Sequence, residues 1–220
     1  MKYKLADIII LLNAPAGAGK DAIGSRLSVL TGAPTRAFKE HLYQCTSTVF
    51  NLPVELVRGL AGDRKTKEEP YKGFSIPTHR WRALMSDLGK STVGREPKIL
   101  TPREALIYTS EYIIKPTMGK DYFGRIFTNT LDLNRGVIFT DSGFEDEVTP
   151  LIESYGKKKV FIVQFDREGC SFQGDSRNYL YVPEGVPNIW LKNDDTIDSF
   201  CNKVLEFVEY ERAILHKTFD

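Results

Sequence analysis

The sequence predicts an α/β fold built on a parallel sheet, and three observations predict it. Two continuous branched apolar runs, Asp7–Leu12 and Val160–Phe165, have the character of strands buried on both faces. Helix-compatible stretches with one apolar face alternate with such runs, which implies right-handed crossovers between parallel strands. A glycine-bearing turn joins the first run directly to a helix, the arrangement by which an α/β sheet holds a phosphate.

Taken in order, the first run leads into Asn13-Ala14-Pro15-Ala16-Gly17-Ala18-Gly19-Lys20-Asp21 and then a helical stretch, Ala22–Leu30. A long, mostly helical region follows. Within it Thr101-Pro102-Arg103-Glu104 reads as a capped helix start, with proline at the first position and the acid three residues after the threonine. Phe123, Ile126, Phe127 and Leu131 mark a further amphipathic helix, and residues 62–73 and 89–98 read as exposed loops. A second strand, Val137–Thr140, ends at Asp141. Behind it Phe144, Val148, Leu151, Ile152 and Tyr155 fall on one helical face. The strand Val160–Phe165 comes next, and a fourth is expected at Ile189–Leu191. Ile197, Phe200, Cys201, Val204, Leu205 and Val208 form a C-terminal helical stripe, which reads as core packing.

The chain of 220 residues has 41% hydrophobic and 27% charged residues, a composition that buries a core and excludes general disorder. Its formal charge of +1, from 30 basic and 29 acidic residues, argues against a dedicated nucleic-acid coat or a polybasic membrane binder. Cys45, Cys170 and Cys201 are odd in number and form no CxxC, and His41, His79 and His216 show no metal-ligand spacing. The apolar run Ile8–Leu12 is far shorter than the roughly 18–20 residues of a membrane span. No signal peptide is read, so a soluble cytoplasmic protein is expected.

The turn Ala14–Asp21 carries the chemistry. Glycines allow backbone N–H groups to face a phosphate, and the helix N-terminus adds partial positive charge. Ala16, Gly17, Ala18, Gly19, Lys20 and Asp21 are the expected ATP-binding residues, with Lys20 reaching the β- and γ-phosphates. The full GxxxxGK[ST] pattern is not met, because Ala14 stands at the first glycine and Asp21 at the hydroxyl position. Asp21 either holds Mg²⁺, directly or through water, or serves as a first-turn acid on the helix dipole.

Gly19-Lys20-Asp21 in such a loop resembles the deoxynucleoside monophosphate kinases of bacteriophages, which share the Asp-bearing loop with phosphomevalonate kinase. Further segments resemble that family in order: Phe38-Lys39-Glu40-His41-Leu42, Thr101–Leu106, Gly119-Lys120-Asp121-Tyr122-Phe123 and Thr140–Glu147. The similarity covers about residues 7–210. It implies a P-loop NTPase, NMP-kinase-like three-layer α/β/α fold. On that basis the chain is expected to be a single domain over residues 1–220, with a helical acceptor-binding insertion at about 38–133 and a lid at about 166–178. The implied reaction transfers the γ-phosphate of ATP to a deoxynucleoside monophosphate, with Mg²⁺, for DNA precursor supply in a bacterial host's cytoplasm. Small-molecule substrates alone are implied as partners, with no nucleic acid and no membrane, and a homodimer is compatible. Two departures stand out. Gly143 replaces an arginine of the family's Asp-x-Arg-Phe block, and Gly174-Asp175-Ser176-Arg177 replaces its usual lid ending.

Phosphoryl transfer needs two anionic substrates held in line and cations on the transferring group. Lys20 would serve the donor. Arg103, with a fork that matches phosphate, is the first choice for the acceptor, with Lys39, Lys120 and Arg125 beside it; each also reads as a solvated surface charge. Arg167 and Arg177 flank a polar, glycine-bearing segment suited to a lid. Asp141, at the carboxyl end of a strand, would hold Mg²⁺ or the acceptor, or else cap the next helix. Asn193 lies where related kinases wrap adenine, in a segment that is also ordinary turn chemistry. Trp81, Tyr108, Tyr122 and Phe123 are candidates to stack on a base, or core residues. The alternatives are a kinase of another small phosphorylated metabolite, phosphomevalonate among them, and a nucleotide-binding protein without turnover.

Overall fold

The computed structural model describes residues 3–95, 97–128, 130–175 and 177–217. In chain order the elements are β1 (Ile9–Asn13), α1 (Lys20–Thr31), β2 (Thr35–Arg36), α2 (Lys39–Phe50), α3 (Val54–Gly62), α4 (Thr78–Asp87) and α5 (Pro102–Ile107). A π-helical segment, Tyr108–Ile114, leads to α6 (Lys115–Met118) and α7 (Tyr122–Thr128). Then come β3 (Val137–Phe139), α8 (Glu145–Tyr155), β4 (Val160–Asp166), β5 (Asn188–Lys192) and α9 (Ile197–Lys217). The residues gather into two units, one formed by the chain up to Phe38 with everything from Phe123 onward, the other by Lys39–Tyr122.

The first unit is a five-stranded parallel sheet in the order β2-β3-β1-β4-β5. β1 lies at its centre, with Ile9 opposite Val137 on one side and Val160 on the other. All five of its residues are buried, because alternate side chains feed two separate cores. Ile10 and Leu12 pack with Ile138, Phe161, Val163 and Phe165 under α1 and α9, joined by Phe200, Val204 and Leu205. Ile9 and Leu11 pack with Phe139, Val160 and Ile162 under α8, joined by Val148 and Leu151. Phe38, Phe127 and Phe139 close that second face, with Phe38 stacked on Phe139 at 4.6 Å and Phe127 edge-on at 5.0 Å. The result is the three-layer α/β/α architecture expected, with a glycine-rich loop between the central strand and α1.

Boundaries move by a few residues. Asp7 adopts a left-handed φ of 62° and donates its N–H to Leu133 O, so the first strand begins at Ile9. α7 ends at Thr128, which leaves Leu131 packed against the core from beyond the helix. β5 alternates exposed and half-buried residues, as a sheet edge does.

The second unit is helical around its own core of Tyr43, Val57, Phe74, Trp81, Leu84 and Leu100. Its α5 starts with the expected capping box: Thr101 Oγ1 accepts from Glu104 N at 3.2 Å, and Glu104 Oε2 accepts from Thr101 N at 3.0 Å. Glu104 is completely buried and also takes Lys90 at 2.8 Å and both Arg95 fork nitrogens at 2.7–2.8 Å. Burial opposes its charge, but hydrogen bonds from Arg95, Lys90 and the Thr101 N–H outweigh it and hold the carboxyl down at about 2. This pairing ties Lys90 and Arg95, from the segment read as a loop, to α5.

Candidate active site

The carboxyl ends of β1, β3 and β4 meet the glycine-rich loop. Gly17 and Gly19 take left-handed φ values of 83° and 101°, a region an L side chain would strain. Gly19 is also the N-cap of α1 and brings no side-chain cap, so the first turn keeps backbone N–H groups without intrahelical partners. That is an anion site in waiting.

Lys20 is buried to 8% exposure, and its ammonium donates to Pro15 O at 2.7 Å and to Ala14 O. Burial first, and then the Arg177 guanidinium, bring its pKa down to about 8 against the opposing charges of Asp21, Asp175 and Asp141. Two loop carbonyls thus fix the buried ammonium beneath the loop. Asp21 is exposed on the first turn of α1.

Asp141 follows β3 and is 9% exposed, with Oδ1 accepting from Phe38 N at 2.9 Å. It does not cap α8, whose N-cap is Phe144 without a side-chain bond. Its charge reaches both Lys20 and Arg177. Arg177 is half-buried and donates to Asp175 through three bonds, its backbone N and Nε to Oδ1 at 3.1 and 3.0 Å and a fork nitrogen to Oδ2 at 2.6 Å. Its stem lies on Gly143: a Cβ placed there would fall 2.8–2.9 Å from three Arg177 side-chain carbons. Space, not backbone freedom, is what Gly143 supplies. The Arg177 stem thus occupies the space that a side chain at position 143 would fill. Ser176, within the expected lid, lies outside the described residues.

Asn193 and Arg167 sit over the far end of the loop. Asn193 donates to Ala18 O at 2.7 Å, and Arg167 reaches within 4.0 Å of where a Gly19 Cβ would be. Beside them a cavity of about 410 Å³ is lined by Gly19, Ile23, Arg167, Lys192, Asn193 and Asp195. Lys20, Asp21, Asp141, Arg167, Arg177 and Asn193 are thus brought to one loop of the first unit. Arg125 is exposed on α7.

Three other expected cations belong to the second unit. Lys39 is exposed at the first position of α2, and Lys120 is exposed between α6 and α7. Arg103 is 45% exposed and donates to Glu68 at 2.6 Å. Among the aromatic candidates, Trp81, Tyr108 and Phe123 are core residues at 2–4% exposure, which removes them as base-stacking platforms. Tyr122 is half-buried.

Asn13 and Gln164 act through partners in space that the sequence does not show, although a polar Asn13 ending an apolar run stands out, whereas Gly143 and Asp175 are visible only as departures from the resembled family's pattern. Magnesium keeps most of its water shell and takes one or two carboxylates with substrate phosphates. Asp21 and Asp141, both within reach of the Lys20 charge, are a donor set that fits. Among the described residues no group of three or more His, Cys, Asp or Glu could hold a metal by itself, and the side chain of His216 lies outside them.

No protein-family model matches the chain, and no curated protein is significantly similar to it. Among solved structures it overlaps a gluconokinase from Sinorhizobium meliloti 1021, with a TM-score of 0.43 and 10% identity over 96% of this chain and 97% of that one. A sugar kinase from Janibacter sp. HTCC2649 overlaps with a TM-score of 0.37 and 13% identity, over 92% and 94% of the two chains. A shikimate kinase from Aquifex aeolicus vf5 overlaps with a TM-score of 0.37 and 14% identity, over 92% and 96%. Overlaps this loose say nothing about substrate.

Proposed function

We propose that the chain is a phosphotransferase that moves the γ-phosphate of ATP to a deoxynucleoside 5′-monophosphate, yielding ADP and the diphosphate. The observation that carries the donor half is Lys20, desolvated on a left-handed glycine loop and accompanied by Arg177 and Asp141. Such a group prefers an anionic partner that restores its charge. Lys20 then meets the β- and γ-phosphates, Arg177 and Arg167 neutralise charge at the transferring group, and Asn193 borders the space for the donor base. Asp21 and Asp141 would hold Mg²⁺ together with ATP, and the ion would supply neutralising charge at the phosphates. Arg103, Lys39, Lys120 and Arg125 are the proposed cations for the acceptor monophosphate. The deoxynucleotide acceptor, a phage origin and a place in DNA precursor supply rest on the sequence resemblance.

A second reading keeps the donor site and changes the acceptor to another small phosphorylated metabolite. The burial of three of the four candidate stacking aromatics favours it. ADP formation from Mg·ATP, assayed with dAMP, dGMP, dCMP, dTMP, dUMP and phosphomevalonate in turn, separates the two. Turnover with a deoxynucleotide supports the first reading. Turnover with phosphomevalonate alone supports the second, and ATP binding with no turnover points to a binding protein.

A further inference from the structure

We propose that Asn13 is a positioning residue whose carboxamide holds Arg177 as a fixed cation of the phosphate site, an inference that rests on the phosphoryl-transfer reading. Asn13 ends β1, is completely buried, and precedes the loop whose Ala14 carbonyl accepts from Lys20. A carboxamide offers two N–H donors and an oxygen with two lone pairs. All four are used. Nδ2 donates to Ser142 O at 2.9 Å and to Asn178 O at 3.0 Å. Oδ1 accepts from Gln164 Nε2 at 3.0 Å and from Leu180 N at 2.9 Å. Gln164 is the cross-strand neighbour of Asn13 on β4 and donates also to Leu180 O at 3.0 Å.

One buried side chain therefore ties together the ends of β1, β3 and β4 and the segment that begins just after Arg177. Asn178 adds its own N–H to Gly143 O at 3.3 Å, and Gly143 is the residue on which the Arg177 stem lies. A buried carboxamide with all four of its groups paired has one geometry and resists displacement. Arg177 consequently belongs to the wall of the crevice. A phosphate then competes with the Asp175 carboxylate for the fork.

The test is the ratio of the Kd for ADP to the Kd for ATP, measured by calorimetry with Mg²⁺, which reads the γ-phosphate site and needs no acceptor. Arg177→Ala is expected to cut the preference for ATP about tenfold, the order of one lost charge-assisted hydrogen bond. Asn13→Ala is expected to cut it by a similar factor, and the double variant no further, because both act through one cation. Gln164→Leu leaves Asn13 but removes the donor that orients it. It is expected to act in the same direction without adding to Arg177→Ala, and it serves if Asn13→Ala does not fold. Thr31→Val loses a buried hydrogen bond to Leu27 O at the far end of α1 and should lower stability while leaving the preference unchanged. The proposal is overturned if the folded Asn13 or Gln164 variant keeps the wild-type preference, or if its loss adds in full to that of Arg177→Ala. It is equally overturned if Arg177→Ala changes nothing. Failure of the phosphoryl-transfer reading has a different signature: a wild-type chain that distinguishes ATP from ADP yet turns over no acceptor.

Discussion

Lys20 makes a prediction that needs no knowledge of the acceptor. With its pKa lowered to about 8 by burial and by Arg177, the free protein holds this ammonium about nine-tenths charged at pH 7, half charged at pH 8 and one-tenth charged at pH 9. Phosphate oxygens replacing the Ala14 and Pro15 carbonyls restore the charge. Binding of ATP should therefore take up about 0.1 proton at pH 7, about 0.5 at pH 8 and about 0.9 at pH 9. The same linkage weakens ATP binding about tenfold between pH 7 and pH 9. Calorimetry in two buffers of different ionisation enthalpy gives the proton number directly. At pH 8–9 the phosphates of the nucleotide are fully ionised, so the uptake comes from the protein. Lys20→Met supplies the control, because it removes the titrating group. Absence of uptake at pH 8, or the same uptake in Lys20→Met, would refute the placement of a desolvated lysine at the phosphates.

Stability moves the other way. A lysine whose folded pKa lies below its unfolded value opposes folding at neutral pH, and that penalty fades as pH rises from about 8 to 10.5. Lys20→Met should raise the Tm at pH 7, equivalent to roughly 1–3 kcal/mol, while abolishing most turnover, and thermal melts check it. Glu104, held at about 2, contributes stability that is complete above about 4.5 and is lost as pH falls toward 2. Glu104→Gln should cost about 2–4 kcal/mol in urea unfolding at pH 7, less than a wholly buried pair because Lys90 and Arg95 reach water, and should flatten that acid dependence. Leu11→Ala, at the centre of the sheet, should cost about 2–5 kcal/mol. Arg103→Ala should raise the acceptor KM and leave ATP binding unchanged, and equal acceptor kinetics in wild type and variant would remove Arg103 from the acceptor site.

The central layers were legible because their signals are local. An uninterrupted apolar run in β1, glycines at positions 17 and 19, and the stripes of α8 and α9 each lie within a dozen or so residues of chain. β2 has two residues, too few to show a period. α2 buries only Tyr43 and Thr46 completely, so its pattern is faint. The π-helical segment after α5 has no sequence signature that separates it from an α-helix. At the site, Lys20 and its loop could be read, whereas the bonds from Asn13 to Ser142, Gln164 and Asn178 span 129–165 residues of chain. Gly143 showed as a missing arginine, and only geometry reveals it as the seat of another one. Trp81, Tyr108 and Phe123 stand in the sequence between base platform and core because an aromatic ring offers the same surface to either, and their burial decides for core.

The two tryptophans of the chain divide between the two units. Trp81 is buried at 3% exposure in the helical unit, and Trp190 is 54% exposed on β5, against Tyr179 and two residues before Lys192 at the cavity beside the loop. Their emission should separate by wavelength, the sheltered indole to the blue and the wet one to the red. Replacing either with phenylalanine gives a chain whose fluorescence reports one unit alone. A single protein thus carries two optical probes, one that follows the melting of the helical unit and one that would report nucleotide at the proposed site beside β5.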